Sequence, residues 1–207
     1  MAAFDAVRGR VGRPTVRLAG FSLGAMSALH IAAKRPEAIE RLDLISAAAP
    51  LELGDFLPSM AGKAVFTAAT TSRGALRRLG RAQSLLNAVA PGLLMKVMFA
   101  GVGPSEQALF ANADFRAMVR DGLSKSLGSS RWAYEDELRT YVRPWSEVLP
   151  GVRCPVRLWH GDEDRWAPLD MARALAQALP AAQVVVLPGL GHFGTLKRAL
   201  PDILRRA

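Results

Sequence analysis

The chain has 207 residues, of which 50% are hydrophobic, and carries a formal net charge of +9 at pH 7. This length allows one hydrophobic core, or a core with a smaller cap, and no apolar run reaches the roughly 18 residues that cross a bilayer. The single Cys154 excludes an internal disulfide, and the first residues lack the apolar segment of a signal peptide. We therefore expect a cytoplasmic protein with no membrane partner.

The positive charge is the one compositional feature that suggests a nucleic-acid partner. Arginine supplies 22 of the 27 basic residues, and Arg73, Arg77, Arg78 and Arg81 are spaced to share one face of a helix. No interleaved aromatic residues and no recognisable binding motif accompany them. We expect a solvated surface and no nucleic-acid partner.

The first predicted elements are a strand, a tight turn and a helix. The strand covers Thr15–Ala19, the turn is Gly20-Phe21-Ser22-Leu23-Gly24, and the helix covers Ala25–Arg35. This order is the context of a nucleophile elbow, in which a strained turn exposes a serine at a helix N-terminus and glycines let the helix pack closely. The structural alternative is that small residues merely suit a tight turn. We predict that Ser22 is a nucleophile.

A second strand, Arg41–Ser46, precedes a long segment with helical patterning. Residues 51–150 show no convincing strand, and their apolar spacing with Gly and Pro breaks predicts helices. The candidate helices are Leu57–Thr70, Ala75–Val89, Gly92–Phe99, Glu106–Leu127 and Arg131–Leu149. Large apolar residues of this segment are candidates to line a substrate pocket, although most are expected to pack in its own core. They are Met60, Phe66, Met95, Met98, Phe99, Phe110, Phe115, Met118, Trp132 and Trp145.

A third strand, Val156–Trp159, leads into a turn rich in carboxylates, and a helix follows at Leu169–Leu179. A nucleophilic serine needs a base, and the base needs an acid that holds its imidazole in one tautomer. The turn offers Asp162, Glu163 and Asp164. We favour Asp164 as the acid, with Asp162 as the fallback.

The chain has three histidines from which the base can come. His30 lies inside the helix after the elbow, and His160 ends the third strand. His192 lies in a glycine-rich loop between the strand Gln183–Leu187 and a last helix at Thr195–Arg206. Active sites of open α/β sheets collect at the carboxyl ends of the strands, so His192 is the candidate base. The alternative is a loop histidine with no special role.

On these motifs the chain resembles the α/β-hydrolase fold superfamily, in particular its serine hydrolases with a helical cap. Members of the family carry an H-G-x-x-D-x-x-V-P-like stretch, which stands here as His160-Gly161-Asp162-Glu163-Asp164-Arg165-Trp166-Ala167-Pro168. Alanine replaces the common valine, and the aspartate that matches the triad acid is Asp164. The resemblance implies a triad of Ser22, Asp164 and His192, in the chain order of that fold. It also implies an oxyanion hole that uses the Leu23 N–H.

The resemblance implies the architecture as well. We expect an α/β fold that comprises the C-terminal part of an α/β-hydrolase core, with about four mostly parallel strands and flanking helices, and an all-helical cap insertion. Residues 1–50 would form the first part of the core with the elbow, 51–150 the cap, and 151–207 the second part of the core with the acid and histidine loops.

The early position of Ser22 predicts an incomplete core. Members of the family place several strands before the nucleophile, and a loop among them supplies a second oxyanion donor. In this chain only the strand at Thr15–Ala19 and a helix tail at Ala3–Arg10 come first, so we expect a truncated chain with weak or no activity. That strand would be an edge with unpaired backbone groups. We expect a partner to cover it, for which a second copy of the chain is a candidate.

Together these features predict a serine hydrolase that works through an acyl-enzyme. Its substrate would be a carboxylic ester, thioester, lactone or amide of a small apolar compound. A serine at the elbow argues against the epoxide hydrolase and haloalkane dehalogenase branches, which use a carboxylate. No metal-ligand spacing and no dinucleotide or phosphate-binding fingerprint is found, so we expect no metal and no cofactor. The alternative is a non-catalytic member of the fold that binds a small molecule or a partner chain.

Overall fold

Four strands form one sheet in this computed structural model, which describes residues 1–205. They are β1 (Val16–Phe21), β2 (Ile39–Ile45), β3 (Val156–Gly161) and β4 (Ala182–Leu187). The strands lie side by side in chain order, and all three neighbouring pairs are parallel. The predicted α/β class, with about four mostly parallel strands, is confirmed. Because the strands are parallel, all four carboxyl ends meet at one edge of the sheet.

Ten α-helices surround this sheet within the described residues. Their bounds are α1 (Ala2–Val11), α2 (Gly24–Lys34), α3 (Lys63–Thr71), α4 (Arg73–Val89), α5 (Pro91–Phe99), α6 (Pro104–Ala111), α7 (Ala113–Leu127), α8 (Arg131–Tyr141), α9 (Leu169–Ala178) and α10 (His192–Arg205). Short 3-10 helices lie at Pro36–Ala38, Leu51–Leu53, Leu57–Ser59 and Ser146–Gly151. Across residues 1–205, no helix combines the length and the apolar character that crossing a membrane requires.

The burial of the strands follows from their place in the sheet. The central strands β2 and β3 are buried along most of their length, whereas the outer strands β1 and β4 alternate between partly buried and exposed residues. A continuous run of buried residues is typical of a parallel strand that is covered on both faces. Leu42, Leu44 and Leu158 join the main core, and Ile45 and Trp159 pack on the other face with α10.

The chain between β2 and β3 is helical and contains no strand among the described residues. Three predicted helices have other bounds in the structure. The predicted helix over Arg131–Leu149 ends at Tyr141, ahead of Pro144, and a separate 3-10 helix follows at Ser146–Gly151. The predicted helix over Leu57–Thr70 begins only at Lys63, after a separate 3-10 turn. The predicted helix over Glu106–Leu127 is broken into α6 and α7 because Asn112 caps α7, its Oδ1 accepting the Phe115 N–H at 3.0 Å. We call α3–α8 the helical segment.

Candidate active site

Ser22 occupies a sharp turn at the carboxyl end of β1. Its φ is 55°, in the left-handed region that residues other than glycine rarely adopt. The Ser22 N–H donates to the Ile45 carbonyl at 3.0 Å, and the Ser22 carbonyl accepts the N–H groups of Ala25 and Ala48 at 3.1 and 3.2 Å. The turn is therefore held by the end of β2 as well as by the first turn of α2. Such strain persists only where the surrounding structure imposes it.

The two glycines of the elbow differ in what they do. A Cβ at Gly20 would lie 2.9 Å from the Ala28 Cβ and 3.0 Å from the Ala25 Cα, so this glycine lets α2 pack directly against β1. A Cβ at Gly24 would have nothing within 4 Å among the described residues. The close packing expected from both glycines is thus found only at Gly20.

Asp164 lies in the turn after β3 and is only 3% exposed. Its Oδ1 accepts the backbone N–H groups of Trp166 and Ala167, both at 2.9 Å, and its Oδ2 lies 2.8 Å from His192 Nδ1. Burial alone would raise the pKa of this carboxyl, but the charge and hydrogen bond of His192, with the further contacts of the site, lower the pKa below its ordinary value. The side chain is therefore held as a carboxylate.

His192 is the first residue of α10. The sequence placed it in a loop and began the last helix at Thr195, so the helix starts three residues earlier than predicted. The Ser46 Oγ donates to the His192 carbonyl at 3.2 Å, and the ring packs on Phe21 with centroids 4.7 Å apart. Because Nδ1 faces Asp164, Nε2 is the ring nitrogen that is left for a reacting group.

Ser22, Leu23 and His192 line one cavity of about 520 Å3 between the sheet edge and the helical segment. Most of its wall is apolar, and within residues 1–205 no lysine, arginine, aspartate or glutamate lines it. Of the ten apolar candidates from the sequence, five line it, namely Met60, Phe66, Met98, Phe99 and Met118. Among the hydrogen bonds of the described residues, none is donated by the Leu23 N–H.

Among the described residues, His30 and Asp162 make no hydrogen bond to this pair, whereas His160 Nε2 lies 3.8 Å from Asp164 Oδ2. The His30 Nδ1 is 2.8 Å from the Met26 carbonyl within α2, and the buried His160 bonds the Ala167 carbonyl through Nε2 at 2.7 Å. Burial lowers the pKa of His160, which favours the neutral ring. The fallback acid Asp162 accepts the Gly189 N–H at 2.7 Å and is exposed, so it supports the turn before α10 rather than pairing with His192.

Two neighbours of His192 were not found from the sequence. Phe193 extends an aromatic cluster with Phe21, Phe99 and Phe115 over the histidine. Glu106 of α6 is fully buried, and its Oε1 accepts the N–H groups of Phe193 and Gly194, both at 2.9 Å. Nothing in the local sequence distinguishes Glu106 from an ordinary acidic residue in the first turn of a helix. Its role is visible only in the packed fold.

No group of three or more histidine, cysteine, aspartate or glutamate side chains within residues 1–205 is arranged to hold a metal ion. Cys154 is buried, and burial raises the pKa of its thiol. A buried thiol with a raised pKa is a poor nucleophile. The candidate reactive groups of the site are the Ser22 hydroxyl, the His192 imidazole and the Asp164 carboxylate.

Comparisons with known proteins agree on one fold. A family model described as the alpha/beta hydrolase fold matches residues 2–199. A comparison with curated protein sequences found no match.

Solved structures of similar fold include three enzymes. One is an alpha/beta hydrolase enzyme from a Medee basin deep-sea metagenome library, with 18% identity, a TM-score of 0.63, and coverage of 98% of this chain and 66% of that one. Another is the enol-lactonase from Burkholderia xenovorans LB400, with 20% identity, a TM-score of 0.60, and coverage of 95% and 65%. A thermophilic esterase from Thermogutta terrifontis has 20% identity, a TM-score of 0.63, and coverage of 97% and 67%. The chain thus spans about two thirds of the length of these structures, and identities at this level show a shared fold rather than a shared substrate.

Proposed function

The chain belongs to the α/β hydrolase fold family, and on that basis we propose that it is a serine hydrolase in which Ser22, His192 and Asp164 act as nucleophile, base and acid. The observation that carries the proposal is the contact of 2.8 Å between His192 Nδ1 and Asp164 Oδ2, beside a cavity that Ser22 and His192 both line. A carboxylate on one ring nitrogen fixes the tautomer whose other nitrogen can take a proton.

The proposed reaction begins with attack by the serine. His192 Nε2 takes the proton of the Ser22 hydroxyl as Oγ bonds to the carbonyl carbon, and the electron pair of the C=O bond moves to its oxygen. We assign the Leu23 N–H as one donor to this oxyanion, because it lies next to the nucleophile and has no partner among the described residues.

Collapse of the tetrahedral intermediate then expels the leaving group, which takes the proton from His192 and leaves an acyl group on Ser22. Water resolves the acyl-enzyme by the same steps, with His192 again acting as base and then as acid. Asp164 stabilises the imidazolium that forms during acylation and again during hydrolysis of the acyl-enzyme. The contacts that lower its pKa suit it to this role.

The chemistry of the cavity supports an uncharged, apolar substrate. Its wall offers aromatic and aliphatic side chains, and no carboxylate or basic side chain is present among the described lining residues to pair with a charged ligand. A volume of about 520 Å3 lies within the range that holds small molecules. We propose a carboxylic ester, thioester, lactone or amide of a small apolar compound, and we propose that the helical segment acts as the cap over the site.

Hydrolysis of p-nitrophenyl esters of increasing acyl length by these 207 residues tests the proposal. Ser22→Ala should abolish turnover, while Ser27→Ala, an exposed serine five residues later on α2, should leave it unchanged. Turnover that survives in Ser22→Ala would contradict the assignment of the nucleophile. A folded wild-type chain that binds these esters without turning them over would favour the non-catalytic binding protein.

A further inference from the structure

We propose that Glu106 is a positioning residue of the active site, whose buried carboxyl group fixes the first turn of α10 and with it the His192 ring. The inference rests on the proposed function and adds a role for the helical segment, since α6 would hold the catalytic histidine in place rather than only cover the substrate. One oxygen of Glu106 accepts two successive N–H groups, those of Phe193 and Gly194. These residues directly follow His192.

The two N–H groups lie in the first turn of α10, where an accepting side chain can hold the backbone in place. The first N–H groups of an α-helix have no partner inside the helix, and an acidic side chain that accepts them is favoured by the helix dipole. A carboxyl oxygen that accepts both N–H groups fixes the direction of the backbone at the start of α10. Because His192 is the first residue of that helix, the same contact fixes where its imidazole points.

A second contact ties α6 to the turn that carries the acid. Glu163 Oε2 accepts the Ser105 N–H at the start of α6 at 3.4 Å, and Glu163 is the residue before Asp164. Thus α6 contacts the turn of Asp164 through its own N-terminus and contacts the helix of His192 through Glu106. These contacts of α6 add to the direct contact between the two turns, in which the Leu190 carbonyl accepts the Glu163 N–H at 3.1 Å.

The Glu106 side chain packs closely against Gly191. A Cβ added to Gly191 would overlap the Glu106 side chain, with its Cδ and Oε1 both at 2.9 Å, so the residue before His192 is a glycine that makes room for this carboxyl group. Glu106 Oε2 is buried and has no hydrogen-bond partner among the described residues. Burial raises the pKa of Glu106, although the contacts with α10 and His192 act against the shift.

That burial has a cost that an ordinary helix cap would avoid. An exposed serine or aspartate before the helix can accept the same N–H groups without desolvating a carboxyl group. In this protein the group is brought in from another helix and buried beside the catalytic pair. The arrangement is therefore better explained by the orientation of His192 than by the stability of α10 alone.

The chain offers a matched control for a test. Glu52 also uses a single oxygen to accept two successive backbone N–H groups, those of Trp145 and Ser146, both at 2.7 Å, and it lies outside the cavity lining. We would compare Glu106→Ala, Glu106→Gln and Glu106→Asp with Glu52→Ala, and measure kcat and KM on a p-nitrophenyl ester for each folded variant.

The expected result separates kcat from KM. Glu106→Ala and Glu106→Asp, whose side chain is one carbon shorter, should lower kcat on the order of 10²-fold, as expected for a displaced catalytic group, with little change in KM. Glu106→Gln keeps the accepting oxygen and should restore kcat. A kcat in Glu106→Ala equal to that of Glu52→Ala would overturn the proposal, as would a loss in Glu106→Gln as large as that in Glu106→Ala.

An NMR measurement that needs no substrate turnover makes the test independent of the proposed function. The proton between His192 Nδ1 and Asp164 should give a downfield NMR signal in the wild type that is absent from Asp164→Asn. It should persist in Glu106→Gln and weaken or disappear in Glu106→Asp. An unchanged signal in Glu106→Asp would contradict the positioning role, even if the wild type hydrolyses no ester tested.

Discussion

His192 Nδ1 lies 2.8 Å from Asp164 Oδ2, although 28 residues separate the two in the chain. The contact follows from the sheet. Asp164 lies three residues beyond the end of β3, and His192 lies five beyond the end of β4. These strands are parallel neighbours whose last paired residues are Gly161 and Leu187. Two turns that leave the same edge side by side bring their side chains together.

Removal of the charge at Asp164 should abolish most activity without unfolding the protein. Asp164→Asn should lower kcat on the order of 10⁴-fold, because an amide no longer stabilises the required tautomer and the imidazolium. Asp162→Asn is the matched control, since Asp162 accepts only the Gly189 N–H among the described residues. Equal losses in the two variants would contradict the assignment of the acid.

Glu106 and Glu52 each accept a pair of backbone N–H groups, but their contributions to folding stability should depend on pH in opposite directions. Burial raises the pKa of Glu106, so this group binds a proton more tightly in the folded protein than in the unfolded chain, and its contribution to stability should be lost as pH rises above about 4.3. Burial opposes the shift at Glu52, but its backbone hydrogen bonds outweigh it and lower the pKa. Its stabilisation is therefore present above about 4.3 and lost as pH falls.

Urea unfolding between pH 4 and pH 8 measures this difference. Relative to the wild type, Glu106→Gln should gain stability with rising pH, and Glu52→Gln should lose it. The same pH trend in both variants would contradict a raised pKa at Glu106 together with a lowered pKa at Glu52.

The glycines of the elbow should tolerate substitution differently. Gly20→Ala places a Cβ against the Ala28 Cβ and the Ala25 backbone, and should destabilise the fold by about 1–3 kcal/mol through overpacking. Gly24→Ala has open space at the first position of α2 and should be neutral or stabilise by about 0.4–1 kcal/mol. Thermal unfolding of both variants measures these changes. A Gly20→Ala variant as stable as the wild type would show that α2 can move away from β1.

A charge in the cavity wall should weaken binding of apolar substrates. Leu123 lines the cavity, whereas Leu85 is 65% exposed on α4. Leu123→Asp should raise KM for a medium-chain p-nitrophenyl ester about tenfold, because burying one leucine-sized contact contributes about 1.5–3 kcal/mol. Leu85→Asp should change KM little. Equal KM values in the two variants would place the acyl group elsewhere.

The sequence predicted the strands and the candidate triad because each depends on local chemistry. The G-x-S-x-G turn, the valine-rich β4 and the carboxylate turn after β3 carry their signals within a few residues. The order of these segments along the chain then suggested which side chains would meet.

Features set by packing between distant segments could not be predicted in the same way. The capping of α10 by Glu106 joins residues 87 and 88 positions apart, and no pattern near Glu106 indicates it. The division of the predicted helix at Glu106–Leu127 depends on one side-chain cap at Asn112. The expectations about partners, a second copy along β1 included, stay predictions.

Mass-spectrometric mapping of a fluorophosphonate adduct tests the central claim most directly. The reagent bonds covalently to a serine that a neighbouring base activates, and the modified peptide identifies that serine. We predict a single adduct on the peptide that carries Ser22, its absence from Ser22→Ala, and a much slower reaction in Asp164→Asn than in Asp162→Asn. An adduct on another residue, or labelling that persists in Ser22→Ala, would contradict the account.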